Sequence, residues 1–66
     1  MPLNPKTILA LRTRLKLTQE EAAKRAGMPQ QAWARIEGGK RSNPRLSTAQ
    51  DVARALGVKL EKLLCA

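Results

Sequence analysis

Three consecutive residues, Gly27-Met28-Pro29, constrain this chain more than any other stretch. Ahead of them, Thr18-x-x-Glu21 has the spacing of a capping box, in which hydroxyl and carboxylate each satisfy an amide at a helix start. Glu20 and Glu21 complement the positive end of that helix, and Lys24 and Arg25 its negative end. Ala22, Ala23 and Ala26 form a small inner face. Gly27 supplies the positive φ of a tight stop, and Pro29 can open the next helix, where its missing N–H costs nothing. That second helix, from about Pro29 to Glu37, has to end at Gly38-Gly39. On it, Trp33 and Ile36 share one face, while Gln30, Gln31, Ala34 and Arg35 cluster on another. The first face suits a core. The second is polar and open.

Other breakers cut the remainder into equally short pieces. Asn4-Pro5 predicts a first helix, with Asn4 as N-cap and Pro5 at the first helical position. Ile8, Leu11, Arg12 and Leu15 share its inner face, and Lys16 suits its last turn. Lys40, Arg41, Ser42, Asn43 and Pro44 form a basic turn, because a residue before proline avoids the helical region. Ser47-x-x-Gln50 has capping-box spacing and predicts a fourth helix with Ala49, Val52, Ala53 and Leu56 inward, closed by Gly57. Val58, Leu60, Leu63 and Leu64 fit a last short helix that seals the core. No repeat, low-complexity tract or strand pattern is visible. The expectation is an all-α fold of five short helices in a single domain, residues 1–66.

A chain of 66 residues is near the lower limit for folding without a staple. Cys65 is the single cysteine, which excludes an internal disulfide and a Cys-rich metal site. It reads as a small tail residue, and a reducing, cytoplasmic setting is the simplest one. Thirteen Lys and Arg against five Asp and Glu give a net charge of +8, which points to a polyanionic partner, nucleic acid or an acidic membrane. The longest apolar run, Ile8 to Leu11, is four residues, so nothing here spans a bilayer, and the N-terminus lacks a signal-peptide pattern. A membrane-surface peptide fits the charge, but its apolar faces are used up in folding a core. An enzyme fails on its residues: there is no histidine, Cys65 sits in the tail, and carboxylates are few. No catalytic residue, metal ligand or cofactor is assigned.

Two helices joined by a Gly-centred turn, the second with a polar free face, describe a helix-turn-helix. The residues resemble the Cro and phage-repressor family, also called Xre-type regulators. Gln19, Ala23, Gly27, Trp33 and Ile36 fall on that family's spaced positions, and "LRTRLKLTQEEAA", "RIEGGKRSNP" and "VARALGVKLEKLL" match its flanking blocks in order. The resemblance runs from about Ile8 to Leu64 and implies a lambda-repressor-like DNA-binding domain with the motif at helices two and three. Arg12 and Glu37 look like the family's buried ion pair, which ties the first helix to the end of the third. The sequence departs from the pattern at Trp33, usually a medium aliphatic residue, and at Ala22, usually leucine. One site grows as its neighbour shrinks, so volume is conserved and Trp33 belongs in the core. Pro29 and Lys59 replace usual caps, and the turn before Pro44 is one residue longer than common.

In the family the third helix lies in the major groove of double-stranded DNA. The resemblance therefore gives base reading to Gln30, Gln31, Ala34 and Arg35: amides for adenine, Arg35 for guanine, Ala34 for a thymine methyl. It gives phosphate binding to Gln19, at the start of helix two, and to Lys40, Arg41 and Arg45. The function implied is a sequence-specific transcriptional regulator, a repressor acting as a homodimer on an operator, bacterial or phage-encoded. A second function, from another class, stays open: the antitoxin of a toxin pair, or a small adaptor with a small protein partner and secondary DNA contact. The operator, the regulated genes and the dimer surface are not legible in the residues.

Overall fold

A computed structural model describes residues 2–40 and 44–64. The first helix, α1 (Pro5–Arg14), opens as its sequence dictates: Asn4 Oδ1 accepts from the amides of Lys6 at 3.1 Å and Thr7 at 3.4 Å. The capping box of α2 (Gln19–Ala26) is complete, Thr18 Oγ1 accepting from the Glu21 amide at 3.1 Å and Glu21 Oε1 from the Thr18 amide at 3.0 Å. Helix α3 (Gln30–Glu37) begins one residue later than expected, because Pro29 stays extended as the N-cap. Helix α4 (Leu46–Leu56) and a 3₁₀ turn (Leu60–Leu63) complete the all-helical architecture.

Three expectations are corrected here. Four α-helices are present among the described residues, not five, since the last segment is a single turn held by i→i+3 bonds, Lys62 N–H to Lys59 O at 3.0 Å. With only four residues between Lys59 and Leu64 and no side-chain cap, an α-helix has no room to propagate. Helix α4 does not start at a Ser47-x-x-Gln50 capping box. Buried Pro44 leads to Arg45, still extended at φ −59° and ψ 154°, and the helix starts at once, so Ser47 and Gln50 lie exposed within it. Similarly, α1 stops at Arg14 and leaves Leu15 45% exposed instead of facing the core.

All four α-helices close with the same kind of bond, in which an amide two or three residues past the helix donates to the carbonyl five residues back. The bonds are Leu17 N–H to Arg12 O at 3.2 Å, Met28 to Ala23 at 3.0 Å, Lys40 to Arg35 at 3.0 Å, and Val58 to Ala53 at 3.1 Å. The residue just before each donor takes a positive φ. It is Gly27 at 71°, Gly39 at 78° and Gly57 at 69°, but after α1 it is Lys16 at 58°. A side chain there costs about 1–2 kcal/mol. Lys16→Gly is therefore expected to raise stability by up to about 1 kcal/mol, after the extra freedom glycine gives the unfolded chain. The denaturation midpoint measures it, and an unchanged or lower midpoint counts against the strain.

The core is contiguous and dominated by small residues on α2 and α4: Ala22, Ala23, Ala26, Ala49, Ala53 and Ala55 are all buried. Those alanines let α2 lie close to both α3 and α4. Into the space they leave fit Trp33, Ile36, Ile8, Val52, Leu56 and Leu63. Trp33 and Ala22 are both at 0% exposure, the burial that an exchange of volume between these two sites requires. Leu3 is also buried and forms an isolated antiparallel bridge with Leu64, beside the Asn4 N–H to Leu63 O bond at 2.7 Å. The two ends of the described chain are thus clasped together.

Candidate nucleic-acid interface

Glu37 fixes how α3 sits on the rest of the fold. Its side chain is only 6% exposed, and each carboxylate oxygen accepts two hydrogen bonds. Oε2 takes Arg12 Nε at 2.6 Å and Trp33 Nε1 at 2.8 Å. Oε1 takes Arg12 Nη2 at 2.8 Å and Gln19 Nε2 at 3.2 Å. Arg12 Nη1 also donates to Leu17 O at 2.7 Å. One carboxylate therefore joins α1, the loop before α2, the first residue of α2, and α3. Burial alone pushes the Glu37 carboxyl upward, but the bonds from Arg12, Trp33 and Gln19 outweigh it and hold the group below the ordinary glutamate value. Its hydrogen bond to Glu37 raises the Arg12 guanidinium in turn.

The sign of the pH dependence follows. A carboxyl lowered on folding contributes stability above the unfolded glutamate value of about 4.3 and loses it as the pH falls through the folded value. Glu21 is lowered as well, first by the Thr18 amide of the capping box, and acts in the same direction. Melting temperature is expected to drop as the pH goes from about 6 toward 3, with much of the drop persisting in Glu21→Gln. A pH-independent melting temperature in Glu21→Gln would show that Glu37 is not held ionised.

With Trp33 and Ile36 buried, helical geometry turns the opposite side of α3 outward. Gln30, Gln31 and Arg35 are exposed and Ala34 is half-buried among them. Pro29, Gln31, Ala32 and Arg35 line one shallow, open depression along this side. Glu37 is the only acid on α3, so the outward face carries no carboxylate. Lys40 and Arg45 are exposed on either side of the following turn, and Arg41 lies outside the described residues, as does Cys65. Gln19 is half-buried with its amide on Glu37. An amide nitrogen has two hydrogens, and Glu37 takes one.

Sequence reading missed the Trp33 and Gln19 bonds to Glu37. Trp33 and Glu37 are spaced i, i+4 on one helix, a signal that was available; Gln19 is brought to them only by the crossing of α2 and α3. Among the described residues no group of three or more His, Cys, Asp or Glu could hold a metal ion, and no helix is long and apolar enough to cross a membrane.

A closely crossed helix pair, locked in register by a largely buried carboxylate and presenting a second helix whose polar outward face is free of acids beside a basic turn, defines a helix-turn-helix unit. A model of the Helix-turn-helix family matches residues 8–63, and the chain belongs to that family, the Xre or lambda-repressor-like group of DNA-binding transcriptional regulators. No curated protein sequence matches it. The restriction-modification controller protein C.AhdI from Aeromonas hydrophila has a similar structure, at 28% identity and TM-score 0.85, over 91% of this chain and 89% of that one. The N-terminal DNA-binding domain of SinR from Bacillus subtilis shares the fold at 24% identity and TM-score 0.85, over 94% and 90%. A segment of 2-hydroxyethylphosphonate dioxygenase is also similar, at 25% identity and TM-score 0.85, over 97% of this chain but 15% of that enzyme. The fold therefore recurs inside a much larger protein, and its shape alone carries no chemistry.

Proposed function

We propose that the protein is a sequence-specific regulator, a repressor, that lays α3 in the major groove of double-stranded DNA and binds an operator as a homodimer. The observation that carries this reading is the outward face of α3. Gln30, Gln31, Ala34 and Arg35 lie on the side of the helix opposite buried Trp33 and Ile36. In the groove, Gln30 and Gln31 pair with adenine edges, Arg35 grips O6 and N7 of a guanine, and Ala34 meets a thymine methyl. Lys40, Arg41 and Arg45 hold phosphates beside the groove, and Gln19 donates its second amide hydrogen to another. The +8 charge supplies a field that draws the protein to DNA of any sequence. Residues 1–66 act as one DNA-binding unit, with two copies reading half-sites about 34 Å apart. The setting is the cytoplasm of a bacterium, on its own DNA or that of a phage. Similarity to a restriction-modification controller supports a small regulator of this kind.

Arg35 and Lys40 separate base reading from phosphate binding. On a sequence selected from a random DNA pool, Arg35→Ala is expected to cost about 1–3 kcal/mol and to relax the preference at one base pair. Lys40→Ala is expected to weaken specific and scrambled DNA alike and to lower the log-salt slope by about 1. Titrations of both variants at several salt concentrations make the comparison. Equal losses on both DNAs in Arg35→Ala, with base preference intact, would overturn the assignment of the reading face.

A further inference from the structure

We infer that Trp33, through Glu37, is a positioning residue for the DNA contact made by Gln19. The inference rests on the proposed reading of Gln19 as a phosphate-binding residue. A wholly buried indole needs an acceptor for its N–H, and Trp33 Nε1 finds it in Glu37 Oε2 at 2.8 Å. A carboxylate has about four acceptor positions, and in Glu37 all four are used. Two of the donors belong to Arg12, at the end of a long side chain that is 16% exposed. The indole is the rigid donor. It fixes Oε2 from within the core, so that Oε1 faces Gln19 Nε2 at 3.2 Å.

The charge state of Glu37 then decides which way round the Gln19 amide lies. An ionised carboxylate only accepts, so Gln19 turns its NH₂ group toward Oε1 and cannot present its carbonyl there. The amide nitrogen keeps one hydrogen for a second acceptor, and its direction is set because the first is held. A phosphate oxygen at the start of α2 is that acceptor in the proposed complex, where the amide at the helix N-terminus reinforces it. Without the indole donor, one lone pair of Oε2 has no partner, and the carboxylate is held only by the Arg12 fork, so it shifts with that long, partly exposed side chain. Gln19 loses its fixed aim. No charge is added or removed, so neither counterion release nor base reading changes.

The test is a double-mutant cycle in DNA affinity on the full chain, at a temperature where circular dichroism shows every variant folded. Gln19→Ala is expected to weaken binding about five-fold, the size of one ordinary hydrogen bond. Trp33→Phe is expected to lose several-fold on specific and scrambled DNA equally, with base preference and log-salt slope unchanged. The double variant should bind no more weakly than Gln19→Ala alone, because the donor acts only through Gln19. Should Trp33→Phe disturb folding, a synthetic chain with 3-benzothienylalanine at position 33 keeps the bicyclic shape and removes only the N–H. Losses that multiply in the double variant, or full affinity in the benzothienylalanine chain, overturn the inference. So does full affinity in Gln19→Ala; if Arg35→Ala still relaxes base preference, the DNA reading stands without it. If Arg35→Ala is silent as well, that reading has failed too.

Discussion

Trp33→Ala is expected to leave the protein largely unfolded at 25 °C. The ring is the largest fully buried side chain, and the buried residues of α2 and α4 in the same core are mostly alanines, with no rotamers to offer for refilling a hole. Truncating a fully packed tryptophan costs about 3–5 kcal/mol, and the cost rises where the site cannot collapse. A domain of this size has a stability near the low end of about 5–15 kcal/mol. Removal of the indole also takes one of the four donors from Glu37. Far-UV circular dichroism and urea denaturation give the result. A folded variant within about 1 kcal/mol of the wild type would show that the alanine-lined site repacks.

Glu37→Leu is expected to be nearly as damaging, for an electrostatic reason. The substitution leaves the Arg12 guanidinium with Leu17 O as its one remaining partner, and strands the donors of Trp33 and Gln19 beside an apolar side chain. Breaking a buried pair from one side typically costs about 3–5 kcal/mol, because the remaining charge keeps its desolvation cost, and this partly buried pair is expected near the lower end of that range. Replacing both members, Arg12→Met with Glu37→Leu, is expected to cost clearly less than the sum of the single changes. The pair is bidentate and short at 2.6 and 2.8 Å, so the coupling should be large. A double-mutant cycle in denaturation free energy with zero coupling would mean that the pair is a bystander in an already determined fold.

Local chemistry made most of the helix boundaries legible. Asn4, Thr18 with Glu21, Gly27 and Gly57 each act within a few residues of themselves, and each is found doing what its spacing implies. Ser47-x-x-Gln50 misled because a capping box is a local pattern that a helix already under way can contain, and buried Pro44 had started this one earlier. Nothing in the sequence marks Lys16 as left-handed, since its conformation comes from the chain being turned into α2 rather than from its own preference. Leu3 was invisible as a core residue because its partner, Leu64, comes from the other end. Of the candidate site, the outward face of α3 follows from helical period and the burial of Trp33 and Ile36. The environment of Gln19 does not, because its amide meets a carboxylate contributed by another helix.

The clasp between Leu3 and Leu64 bears on the order in which the molecule comes together and apart. Its two strands of backbone are separated by nearly the whole chain, whereas Gln19 and Glu37 are only 18 residues apart. Closing the larger loop costs more entropy, and little is gained until Ile8 and Leu63 have the packed helices to rest on. The clasp is therefore the last contact to form and the first to open, the last stitch over a unit already built around α2 and α3. In native-state hydrogen exchange, the Asn4 amide should open without global unfolding, while the amides of α3 near Trp33 wait for it. The surface proposed to meet DNA then sits on the part of the fold that opens least.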